Sequence, residues 1–329
     1  KDEQVVVTKS QQGYLKAQNL DEYKVQRRGG RGKSASAIKE DDVITSMVTA
    51  TRHEDLLCFT NLGRVYQLPV RHIPLMGRSA KGRPANNFLP LQDNEVIQVL
   101  FSVREYSASS VCFFATRRGI VKKVALSAFS NVRSSGIIAI TLQDDDELVG
   151  MQVLTDADDV MLFSDAGKAI RFPVAALRVT GRTSQGVIGM RLAQEHNVIA
   201  VLPALSDDEA VFVATENGYG KRTYMREFRR IGRGGQGVIA IQCTERNGKV
   251  VSVCVPSDKQ DVMFITNIGT MIRMEAASIS IIGRNTQGVR LLQMQDGVAL
   301  VGCEVVSRDE DEADNEVVVE EVVDDSSDE

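Results

Sequence analysis

Gln26-Arg27-Arg28-Gly29-Gly30-Arg31-Gly32, QRRGGRG, heads a series of related boxes along the chain. Its three arginines and three glycines leave nothing from which to build a side-chain core. Such a loop can instead press its amides and guanidiniums against phosphates. Weaker copies follow it: GRSAKG (77–82), NVRSSG (131–136), GRTSQG (181–186), GRGGQG (232–237) and GRNTQG (283–288). A second glycine precedes each of these boxes and closes a turn after an apolar run: Gly13, Gly63, Gly119, Gly167, Gly218 and Gly269. Successive turn glycines are 50, 56, 48, 51 and 51 residues apart. The box-closing glycine lies 19 residues beyond its turn glycine in every repeat but the third, where the distance is 17.

A period near 50 residues indicates a propeller-like array with one blade per repeat. Val262-Met263-Phe264-Ile265-Thr266 reads as a short strand buried on both faces, and the T-x-x-G motif after it suits a tight hairpin. A strand such as Val238-Ile239-Ala240-Ile241 follows the box, and acidic turns such as Asp144-Asp145-Asp146 lead to a last strand. The expectation is an all-β chain with about four strands per blade, its edges protected by closing the ring. Residues 1–308 are expected to form one six-bladed disc, with blades near 5–50, 51–105, 108–155, 158–205, 208–256 and 259–307. The opening Val5-Val6-Val7-Thr8 is already strand-like, as in an excised domain.

The net charge of -5 conceals an asymmetry. Residues 309–329 carry twelve of the 44 acidic residues and none of the 39 basic ones, which leaves the body at +7. A basic body suggests a nucleic-acid partner, and the acidic tail reads as a disordered segment.

The second box position holds Arg28, Arg78, Val132, Arg182, Arg233 and Arg284; in the third box Arg133 stands one place later. Equivalent loops on a disc share one rim. A tight connection explains the glycines, whereas the recurring arginine calls for a ligand or a bond between blades. Lys81 adds a charge to the second box, and Arg27, Arg31 and Lys33 make the first the most basic. A further basic set lies three or four residues after the turn glycines: Lys16, Lys122 and Lys123, Arg171, Lys221 and Arg222, and Arg273. Neighbouring positions point to opposite faces of a strand, so not all of these can meet one ligand. Lys122, Arg171, Lys221 and Arg273 are expected to join the box residues in binding DNA, with an ordinary solvated face as the alternative reading. A curved basic rim without a groove-reading helix suits sequence-independent contact with the DNA backbone.

QRRGGRG resembles the seven-residue box in the C-terminal domain of the bacterial DNA gyrase A protein, and the six boxes resemble that domain's degenerate copies. The resemblance covers nearly all of 1–308. It implies a β-pinwheel, a disc whose blades exchange strands, with DNA wrapped around it in a positive sense so that gyrase can introduce negative supercoils. It implies that Gln26, Arg27, Arg28, Gly29, Gly30, Arg31 and Gly32 form the wrapping loop. Double-stranded DNA, the remainder of gyrase A, and gyrase B in an A2B2 complex are the implied partners, in a cytoplasmic, membrane-free setting. No cofactor is implied for this domain, since ATP and Mg act elsewhere in the holoenzyme. The related domain of topoisomerase IV has a degraded first box, and the intact one here argues against it.

No catalytic site is expected. The six tyrosines lack an adjacent acidic cluster, there is no phosphate-binding G-x-x-x-x-G-K-[ST], and His53, His72 and His196 are scattered. The five cysteines read as buried thiols rather than disulfides or metal ligands. A protein-binding propeller and a propeller hydrolase are the competing readings. The first predicts an unremarkable rim, and the second needs convergent carboxylates or histidines that the repeats do not show.

Overall fold

Val111–Thr116 (VCFFAT), Asp159–Ser164 (DVMLFS) and Ala210–Thr215 (AVFVAT) are buried along their whole length. A strand whose two faces are both apolar needs a neighbouring sheet on each side. The computed structural model, which describes residues 3–23, 42–104 and 106–307, supplies this by stacking six small sheets around a ring. The first box, Lys33 and the acidic tail lie outside the described residues.

Adjacent side chains of a middle strand serve different neighbours. Phe114 points back to the second blade, with its ring 5.5 Å from Phe59, while Phe113 points forward to Phe172 of the fourth, 6.0 Å away. Phe163–Phe228 and Phe212–Phe264 continue the series. Each gap between blades holds its own apolar cluster. The ring closes where Met263, Ile265 and Met271 of the sixth blade pack against Val43 of the first. Among the described residues that seam is the thinnest of the six. Phe114→Ala should therefore cost about 3–5 kcal/mol by opening a cavity between two blades, measurable as a lower denaturant midpoint.

Five blades have four strands and the sixth has three among the described residues. In the third blade the order from the centre outward is Leu148–Leu154, Val111–Thr116, Ile120–Ala125 and Val187–Ile188, all antiparallel. The last of these belongs to the fourth repeat. Arg83–Pro84, Ile137–Ile138, Val238–Ile239 and Val289–Arg290 cross to the preceding blade in the same way. The strand expected after the box is thus only two residues long and leaves its own repeat in each of repeats two to six. The innermost strands line a central cavity of about 460 Å³ that includes Thr45, Gln98, Gly150, Ile199 and Val253.

The two glycine series meet at this exchange. Every described member of both has φ between +75° and +97°. At Gly237 the constraint is also spatial, because a Cβ there would lie 2.4 Å from the Ala169 carbonyl oxygen. The carbonyl of turn glycine Gly119 accepts the amides of Gly189 and Met190 from the next repeat at 2.8 and 3.2 Å. All five cysteines are free thiols, and no helix among the described residues is long and apolar enough to cross a membrane.

Candidate nucleic-acid interface

Each of boxes two to six immediately precedes its exchanged strand, and that strand is the outermost of the sheet it joins. The boxes therefore share the outer rim. They are also linked to one another. The amide of Thr141, just past the third box, donates to Ser184 O of the fourth at 3.2 Å; Arg191 then reaches Gly235 O and Gln242 reaches Thr286 O, each at 2.8 Å. Side chains reinforce two of these joints, Thr141 Oγ1 to Thr183 O at 2.6 Å and Gln242 Nε2 to Asn285 Oδ1 at 2.6 Å. Boxes three to six are thereby joined into one hydrogen-bonded arc.

Arg78, Lys81, Arg133 and Arg233 are exposed along the rim, and Arg182 and Arg284 are half-buried. The Lys81 ammonium lies 4.4 Å from the centre of the Tyr14 ring. Two box arginines also bridge blades: Arg233 Nη1 donates to Ile188 O at 3.0 Å and Arg284 Nη1 to Ile239 O at 2.9 Å. One N–H of each fork is used in this way. A bond between blades is thus present at these two arginines.

The strand-borne basic residues separate by position. Lysines three residues after a turn glycine lie beneath the box of the next repeat. Lys122 Nζ donates to the carbonyls of Gly181, Arg182 and Ser184 at 3.1, 2.7 and 2.9 Å. Lys221 Nζ does the same to Gly283 O at 2.7 Å, to Arg284 O and to Thr286 Oγ1 at 3.0 Å. Lys16 makes the equivalent set with Gly77, Arg78 and Ala80. Lys122 and Lys221 are buried, so the direct contact expected of them gives way to a supporting role. Residues four places after the glycine point the other way. Arg171 is tied to Asp159 at 2.9 Å and Asp207 at 3.1 Å, Arg222 to Asp258, and Arg273 to Asp261 at 2.6 Å. Arg171 and Arg273 therefore brace the blades rather than face the rim.

Burial drives both supporting lysines down to about 8, aided by the charge of Arg182 at Lys122 and of Arg284 at Lys221, while Glu227 opposes the fall at Lys221. The box carbonyls hold an ammonium that desolvation would otherwise discharge.

The third box departs from the pattern, and so does the second blade's lysine position; the exchange shows that these are one place. Box three sits on blade two. There Val132 is buried in the cluster between blades two and three, and the Tyr66 ring packs beneath Gly136. Val132 stands where the arginine would be and Tyr66, whose hydroxyl donates to Glu95 Oε1 at 2.8 Å, where the lysine would be.

Residues 5–51, 54–104, 111–155, 158–204, 209–254 and 260–307 each match the family described as DNA gyrase C-terminal domain, beta-propeller. The chain belongs to this family. It is 46% identical over 314 residues to the DNA gyrase A protein of Salmonella typhimurium and 43% identical over 316 to that of Escherichia coli K12. These alignments span 95% and 96% of this chain and 36% of each relative, so the chain corresponds to about a third of their length. A solved C-terminal domain of DNA topoisomerase IV superposes with a TM-score of 0.82 at 23% identity, covering 98% of both chains. The C-terminal domain of DNA gyrase A gives 0.69 at 24% identity, covering 92% of this chain and all of the other. At these identities the superpositions establish the fold. The family match and the sequence relatives carry the assignment to gyrase A.

Proposed function

We propose that the domain binds duplex DNA along its rim, independently of sequence, bends it and wraps it in a positive sense, so that gyrase can introduce negative supercoils. The observation that carries this reading is the linked arc of box loops, which presents arginine from box after box on one edge. Contacts of this kind neutralise phosphates and release counterions, and they confer a steep salt dependence. In the whole enzyme the domain would act beside the remainder of gyrase A, with gyrase B, in an A2B2 complex, and ATP and Mg would be used outside it. The intact first box favours gyrase over topoisomerase IV.

The acidic tail is proposed to compete with DNA for the rim as an internal polyanion, given twelve acidic residues after a body of net +7. Both ideas are tested by titrating random-sequence duplex against the full chain and against a chain ending at Ser307, across a salt series. Binding should be lost at high salt and be tighter without the tail. No binding by the shortened chain would overturn the DNA reading. Equal affinity of the two chains would leave the tail a solubilising appendage.

A further inference from the structure

One basic cluster on the rim falls outside the box pattern. In the fifth blade the Tyr219 hydroxyl accepts hydrogen bonds from Arg246 Nε at 2.8 Å and from Arg290 Nη2 at 3.0 Å. Both guanidiniums also lie near the Tyr219 ring, 5.7 and 5.5 Å from its centre. Tyr219 is buried, whereas the two arginines are exposed. Among the described residues neither arginine has a carboxylate partner within salt-bridge distance. Two like charges therefore converge on one neutral oxygen, and most of their N–H groups remain free. They border an open pocket that Gln242, Gln287 and Gly288 complete beside the end of box six.

The other repeats show that this convergence is a local construction. The exchanged-strand partner of residue 219 is Arg290, but the matching pairs are Ile188 with Ile120 in the third blade and Ile239 with Lys168 in the fourth. The turn that carries Arg246 carries Asp145 in the third repeat and Glu195 in the fourth, each nine residues past its box glycine. Of these three blades only the fifth has an arginine on both the turn and the exchanged strand, with a tyrosine between them. Burial alone would raise the Tyr219 phenol, but the hydrogen bonds and charges of Arg290 and Arg246 outweigh it and hold the phenol below its usual value. Among the described residues no carboxylate pairs with either guanidinium.

We propose that Arg246 and Arg290, aligned by the Tyr219 hydroxyl, form a phosphate clamp that takes a backbone phosphate of duplex DNA beside box six. The assignment rests on the DNA reading above. Two guanidinium forks match the oxygens of one phosphodiester, and the buried phenol fixes their spacing in advance.

The test is duplex affinity across a salt series for the whole chain, for R246Q/R290Q and for Y219F, with thermal melts to establish that each is folded. The double variant should bind about 10-fold more weakly at low salt, with the slope of log K against log salt reduced by about one. Y219F keeps both charges but frees their spacing, so it should lose about 2–3-fold in affinity with the slope unchanged. Wild-type affinity and slope in a folded R246Q/R290Q, from a parent that binds duplex, would overturn the clamp alone. Failure of the parent to bind duplex would overturn the DNA reading on which it rests. A parallel titration with inorganic phosphate separates the sources. Saturation by phosphate that depends on both arginines, with duplex affinity untouched by their removal, would assign the pocket to a free anion and overturn the DNA contact.

Discussion

Replacing Arg27, Arg28 and Arg31 with alanine is expected to abolish wrapping while weakening simple duplex binding by less than about 10-fold. Bending 20–30 base pairs costs roughly 1–6 kcal/mol by elastic estimates, and contacts along the arc must offset it. Each of the other boxes contributes one arginine, plus Lys81 in the second, whereas the first carries three arginines followed by Lys33. With the first box neutralised, the duplex can still rest on the remaining loops, but its end is no longer held and it straightens. Nicked circles ligated in the presence of the domain report this directly. The parent should shift the linking number in the positive sense and the triple variant should not. A retained shift would refute the anchoring role of the first box.

The second large effect is expected from K122M/K221M. Each lysine supplies the donors for three carbonyls of the box above it, and methionine supplies none. Leaving such carbonyls without a donor costs about 1–3 kcal/mol per site, so boxes four and six should loosen before the fold is lost. Hydrogen exchange should rise around residues 181–186 and 283–288, and duplex affinity should fall although neither lysine faces the rim. The pH response distinguishes this effect from a simple loss of surface charge. Both ammoniums titrate near 8 in the folded chain against an ordinary value of 10.5. Between those values the unfolded chain binds more protons, so the parent's stability contribution from these groups rises with pH across that window. Its DNA affinity should move the opposite way, because discharging the lysines removes two cations from beneath the arc. The variant should lack both responses. Parallel pH profiles for parent and variant would exclude the lysines as supports.

Glycine and apolar spacing made the architecture readable before any coordinates. A glycine held at positive φ and pressed against a foreign carbonyl has no substitute, so its period of about fifty residues survives where side chains vary. Short fully apolar runs such as VCFFA likewise announce sheets packed on both sides. The basic residues were only half readable. Lys16, Lys122 and Lys221 stand in alternate repeats with Tyr66, Ile170 and Ile272 between them. That alternation was the available signal that the lysines answer to something specific. Nothing in the spacing says that their partner is a loop some 60 residues ahead. Arg246 and Arg290 gave no signal at all, since the turn and the strand that carry them converge only through the exchange.

The sequence by itself determined the number of blades, the place of each box within its repeat and the surplus of arginine in the first, because local turn geometry and two-sided burial leave periodic marks. Only the tertiary structure decided which blade each box rests on. The exchanged strand moves each of boxes two to six onto the preceding blade, so residues from different repeats share one environment. Val132 and Tyr66 look like separate lapses in repeats three and two, yet box three rests on the blade that carries Tyr66, whose ring packs against Gly136. Lys122 and Lys221 look like ligand-facing charges, yet they lie under backbone carbonyls that hold them charged. A chain position states what a residue can offer. Its partner is set by packing between repeats, and a linear period does not encode that.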